Sequence, residues 1–222
     1  MANFVRRICC PGGSVSFIEP TDIKTSMAYR YRSTPAPVLE EIDDEPPTCE
    51  RTAWHESGHA VIGHALGAEV EMVTIRAPAR VVYAPGGELT PIQKIARSHA
   101  GPVGEMARVQ CWCSGWPEDA DEYLLRVQAF EFGGCDQCNM ALEAWRAVGI
   151  ISPIDAAREV MLAGQALALK LGQRRDVQQA IRALAAQLME HGTISGKRAH
   201  SIIEPFVSFG EFKNDEENRA AS

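Results

Sequence analysis

Three residues of the segment HESGH, His55, Glu56 and His59, have the types and spacing needed to hold a metal ion and put it to use. Two histidines four residues apart project from one face of an α-helix, so their imidazoles can share one ion. Glu56 is placed to hold a water molecule and take its proton, while zinc polarises a scissile carbonyl and lowers the pKa of that water. Together these roles describe hydrolysis of a peptide bond. The plain alternative is a coincidental match on an amphipathic helix. Against it, a buried cluster of two histidines and a glutamate is costly unless a metal or partner satisfies it. Gly58 also thins the helix beside the trio, and apolar residues surround it. A catalytic zinc takes three protein ligands and keeps one position open. The extended pattern HExxHxxGxxH would place histidine where Ala65 stands. His64 is out of phase with the pair and reads as a helix-surface or core histidine.

The elements that must position this trio are legible on either side of it. The folded domain is expected over 48–208, between an extended or disordered N-terminal arm (1–47) and a disordered polar tail (209–222). Thr48 can cap a helix that carries HESGH and stops at Gly67. VEMVTIRA and RVVYA, two β-branched runs separated by a proline, predict a small hairpin or mixed sheet packed on that helix. Thr90 followed by Pro91 marks the start of a further helix, which Gly101 and Pro102 are expected to interrupt or kink before VGEMARVQ continues. After the loop CWCSGWPED and an apolar-rich segment comes a helix from about Cys135 to Val148, with Asp136 in its first turn. Ser152, Pro153 and Asp155 open another helix, a second spans roughly 174–190 up to Gly192, and TISGKRAHSII gives a short closing helix.

Composition narrows the function classes. With 222 residues and 45% hydrophobic content the chain can bury a core, and a formal net charge of -7 offers no reason to expect nucleic acid or an anionic membrane as partner. No run of eighteen apolar residues occurs and the start carries no apolar stretch of signal-peptide length, so neither secretion nor membrane insertion is expected. Seven cysteines, an odd number without an export signal, point to reduced thiols or metal ligands and to the cytoplasm.

The stretch TAWHESGHAVIGHALG followed by VTIRAPAR resembles the start of the protease domain of FtsH-type ATP-dependent zinc metalloproteases. HAGPVGEMA is similar to that family's small-residue helix ending in glutamate, GGCDQCNMALEA to its segment with an aspartate opening a helix, and GTISGKRAHSII to its closing helix. The likeness covers about 48–204. It implies an α+β, mostly α-helical fold: a zincin-like HExxH helix, a small β-sheet or hairpin and a C-terminal helical bundle. It also implies zinc as cofactor, with Asp136 matching the family's third ligand beside His55 and His59. A plain helix cap is the other reading of Asp136. Glu105 is the rival carboxylate, better suited to orienting a ligand histidine. No GxxxxGK[ST] sequence is present, so the resemblance covers the protease part without the ATPase and membrane parts.

Cys111, Cys113, Cys135 and Cys138 form a CxC and a CxxC pair that could bind a second, structural zinc. Two of them bracket Asp136, which works against a separate ion there, and small buried hydrophobes are the plainer reading. Trp54, Trp112, Trp116 and Trp145 read as core or cleft-wall residues. The resulting expectation is a zinc metallopeptidase acting on peptides or unfolded proteins, laid along an exposed edge of the small sheet at VEMVTIRA. A homo-oligomer and a separate ATPase partner are compatible with it. Two alternatives stay open: a non-catalytic zinc-stabilised interaction module, and a zinc hydrolase acting on a non-peptide amide.

Overall fold

A computed structural model describes residues 16–20, 29–33, 49–86, 88–112 and 117–214. The described residues are mostly helical, with two small antiparallel sheets. The HESGH segment lies on α1 (Cys49–Ala65), which begins beside Thr48; that capping residue lies outside the described residues. β3 (Val70–Thr74) and β4 (Arg80–Tyr83) form the expected hairpin. Next come α2 (Pro91–Val109), α3 (Pro117–Gln128), the two-residue strand β5 (Glu131–Phe132) and α4 (Asp136–Val148). The last third contains α5 (Ile154–Gly172), α6 (Arg175–His191), β6 (Thr193–Ser195) and α7 (Gly196–Ile203).

α2 is the centre of the arrangement and packs on α1, α4, α5 and α6. A capping box starts it, in which the Thr90 hydroxyl accepts from the Gln93 N–H and the Gln93 side chain accepts from the Thr90 N–H. Contrary to expectation, Gly101 and Pro102 do not divide it. A proline in a helix interior costs about 3 kcal/mol through the lost hydrogen bond and ring crowding. Here Ala96, Ala100, Val103 and Ala107 are all buried along the same helix, and their packing outweighs that local cost.

α1 and α2 approach each other through glycines. A Cβ on Gly58 would lie 2.1 Å from the Ala100 carbonyl oxygen, and one on Gly104 would lie 2.1 Å from that of Trp54. Only hydrogen fits at either position, so backbone meets backbone and whatever projects from the facing sides of the two helices is held close together.

The hairpin strands join a sheet of order β4-β3-β6, all antiparallel, with Met72 opposite Ser195 and Thr74 opposite Thr193. β3 is therefore the central strand, and VEMVTIRA is not an edge; β4 is. β6 follows Gly192, whose φ of 71° ends α6 in the left-handed region and turns the chain back to β3. Residues 1–47 contain a hairpin of β1 (Ser16–Pro20) and β2 (Tyr29–Ser33), and β1 pairs with β5. The rest of that segment lies outside the described residues. Part of the expected polar tail is packed down: Phe212 is 6% exposed, its N–H donates to the Ala65 carbonyl, and the Gly210 N–H donates to that of His64.

Two apolar clusters fill the interior. The larger gathers α1, α2, α6, α7 and β3 around Ile62, Leu66, Leu184 and Leu188. The smaller joins α3, α4 and α5 around Leu124, Met140, Trp145 and Met161. Trp145 donates its indole N–H to the Leu124 carbonyl at 2.9 Å, while Trp54 and Trp112 pack on the larger cluster. Trp116 lies outside the described residues.

Candidate metal centre

Helical spacing puts His55 and His59 on the same side of α1, facing α2. Their Nε2 atoms lie 3.2 Å apart. Asp136, first residue of α4 after Cys135 at the N-cap, brings Oδ2 to 3.0 Å from Nε2 of His55 and 3.3 Å from Nε2 of His59. Residues 81 positions apart in the chain thus meet at one point. The space they share is shaped by Gly101, where a Cβ would lie 2.3 Å from Nε2 of His55 and 2.5 Å from Nε2 of His59.

The far side of each ring decides its protonation. Nδ1 of His55 is 2.8 Å from Oε1 of Glu105, and Nδ1 of His59 is 2.8 Å from the Arg97 carbonyl. A carboxylate and a carbonyl only accept, so both Nδ1 atoms carry hydrogen, and each Nε2, once free of a proton, can turn a lone pair to a metal. Three acceptors, two imidazole nitrogens and a carboxylate oxygen, then converge with separations of 3.0, 3.2 and 3.3 Å. Bonds of about 2.0–2.1 Å to a tetrahedral metal place neighbouring ligand atoms about 3.3 Å apart, so the donor set fits such an ion in chemistry and in size.

Glu105 is held from both ends. The Arg51 guanidinium donates to its Oε2 at 2.6 Å while Oε1 takes His55. It thus lies across the ring from Asp136, in the orienting position, and does not share the Nε2 side. Burial works against the Glu105 charge, but the His55 and Arg51 hydrogen bonds hold its carboxyl below the usual range. Burial likewise disfavours the Asp136 charge, and the two histidines override it, keeping that carboxyl far below the usual range. For His55 burial alone would lower the pKa. Hydrogen bonds to Asp136 and Glu105 prevail and push it up to about 10, so in the metal-free chain a proton supplies the cation this pair of carboxylates demands.

Glu56 is only 7% exposed, and burial raises its carboxyl pKa against the opposing pull of His59 and His55. β4 is tied to the same helix: the Tyr83 hydroxyl donates to the His59 carbonyl at 2.7 Å, and the Arg97 guanidinium stands 4.5 Å over the Tyr83 ring. His99 on α2 is 4% exposed, with neither ring nitrogen hydrogen-bonded, and burial lowers its pKa to about 4.

Cys111 is exposed beyond α2, Cys135 is half-buried, Cys138 is buried in the smaller core, and Cys113 lies outside the described residues. Among the described residues, the groups of His, Cys, Asp and Glu close enough to share an ion contain no cysteine. Arg51, the Arg97 carbonyl and Gly101 escape a motif reading. Of these only Gly101, a glycine before proline in an otherwise helical pattern, leaves a signal in the sequence.

No family model and no curated protein matches the chain. Among the described residues, no helix is long and apolar enough to cross a membrane.

Proposed function

We propose that the chain is a zinc metallopeptidase that hydrolyses peptide bonds of unfolded proteins or peptides, with His55, His59 and Asp136 as metal ligands and Glu56 as general base. The carrying observation is the convergence of three acceptor atoms within 3.3 Å of one another, each ring fixed from behind by a hydrogen bond at Nδ1. Zinc bound there supplies a Lewis acid for the scissile carbonyl and a water of lowered pKa. Glu56 takes the proton of the attacking water and passes it to the leaving amine; burial raises its carboxyl pKa, which favours taking up that proton. Glu105 and the Arg97 carbonyl keep the ligand rings from turning.

The resemblance to FtsH-type protease domains supports the same assignment and a zincin-like fold. An extended peptide adds to the outer edge of β4, whose Tyr83 is anchored to the metal helix. Without a GxxxxGK[ST] sequence, this chain has no phosphate loop with which to drive unfolding, so stable folded substrates require a separate ATPase. The cysteine content fits a cytoplasmic location.

Dialysis against a chelator should abolish cleavage of an unstructured protein such as casein, and one equivalent of zinc should restore it. A panel of peptides and small non-peptide amides separates the reaction classes. Cleavage confined to the non-peptide amides would replace the peptidase reading, and metal binding with no cleavage at all would leave an interaction module.

A further inference from the structure

The C-terminal end of α1 carries a second convergence of ligand atoms, sharing no residue with the first. His64 lies five residues beyond His59, about 140° further round the helix, and so faces α7. Its Nε2 is 3.1 Å from Oε2 of Glu204, and Nε2 of His200 is 3.8 Å from the same oxygen. The two rings stand 5.1 Å apart between centroids, and all three ligand atoms lie within 4.8 Å of one another. His200 and Glu204 are four residues apart, the spacing that also pairs His55 with His59.

We propose that His64, His200 and Glu204 form a second binding site for a divalent transition metal such as zinc. Two imidazoles and a carboxylate are a suitable donor set for zinc; the His64–Glu204 separation of 3.1 Å is already close to tetrahedral spacing, and the half-exposed His200 must move inward from 3.8 Å to join it. The same oxygen also accepts from the Phe209 N–H at 3.2 Å, so three groups meet at Oε2 of Glu204. Beside the group lies a cleft of about 420 Å³, lined by His64, Glu69, Val70, Lys197, His200 and Phe209, with room for the waters that complete coordination. A surface ion pair would need one histidine. The second histidine beside the same oxygen, and the burial of the first at 2% exposure, set this group apart from such a pair. An ion here joins the end of α1 to α7 and to the packed segment after it, whose Gly210 N–H already donates to the His64 carbonyl.

The test is a zinc titration of the full chain after chelation, repeated with cobalt(II). The wild type should bind two equivalents, and His200→Ala and Glu204→Gln should each bind one. Asp136→Ala should retain the second site and lose the first, so failure at either site is read separately. Cobalt at the second site should lack a thiolate charge-transfer band. Zinc should raise the melting temperature of Asp136→Ala by a few degrees, and adding His200→Ala to that variant should remove the rise. His200→Asp, which restores a ligand, should recover part of the binding. No zinc bound by Asp136→Ala, or binding by Asp136→Ala that survives the added His200→Ala, would overturn the proposal.

Discussion

In the proposed zinc site, His55 shows how much depends on the back of a ligand. One ring nitrogen faces Glu105 and the other faces Asp136, and the two carboxylates do different work although each lies within 3.0 Å of the imidazole. Removing the one beside Nε2 should remove a ligand, whereas removing the one beside Nδ1 should only loosen the ring. Asp136→Ala is therefore expected to weaken zinc binding by about a thousandfold or more, and Glu105→Ala by about 10–100-fold, both read by competition with a chromogenic chelator. The opposite order would exchange their roles. Because the carboxylates hold the His55 pKa at about 10 in the metal-free chain, zinc must displace a proton throughout the neutral range. Affinity should rise with pH up to about 10, and calorimetry in buffers of different ionisation enthalpy should report close to one proton released per zinc near pH 7. A pH-independent affinity would contradict this charge arrangement. At this scale the sequence made His55, Glu56 and His59 legible through a period of four, and Asp136 only through a resemblance. Arg51 and the Arg97 carbonyl were hidden, because backbone acceptors and long-range ion pairs have no spacing signature.

Among the elements, α2 does most to assemble the site, since it lies against both α1 and α4. Its Gly101 leaves the space in which the two imidazoles meet. Gly101→Ala should be neutral or slightly favourable to helix formation, because alanine is the better helix former. Its methyl would nonetheless occupy the ground of both Nε2 atoms. The expected result is unchanged helicity by circular dichroism with zinc affinity reduced at least tenfold; full affinity in the variant would mean that the two rings do not meet against α2. The outer edge of β4 carries the substrate proposal, and peptides N-methylated at alternate backbone amides should show KM raised about tenfold if they add there as a strand. Equal KM for methylated and parent peptides would exclude strand addition. Helices with a sustained apolar period and a glycine stop were readable in advance, among them α4 behind Asp136 and α6 up to Gly192. The continuity of α2 was not, because a local proline rule cannot weigh the burial of Ala100, Val103 and Ala107. Nor was the identity of the edge strand: β3 becomes central only through β6, about 120 residues further along, and sheet order of that kind leaves no local trace.

Across the whole molecule, the buried and unpartnered His99 couples the fold to pH. Its pKa is about 4 when folded, against 6.5 for an exposed imidazole, so between these values the unfolded chain takes up a proton that the folded chain refuses. Stability should therefore fall as pH drops from about 6.5 to about 4, by up to about 3 kcal/mol from this one group. His99→Leu should flatten that part of the profile in urea unfolding and cost little at pH 7, since no hydrogen bond is lost. An acid limb identical in both proteins would show that His99 is not its source. The proposal that this fold holds zinc in order to cut peptide bonds, with Glu56 as the base, is tested most directly by comparing zinc-loaded wild type with Glu56→Gln on an unfolded protein substrate. In the proposed site Glu56 is not a ligand, so both proteins should carry the same zinc, and the variant should cleave about 10²–10⁴-fold more slowly. Wild-type cleavage no faster than that of Glu56→Gln, at equal zinc content, would contradict the account.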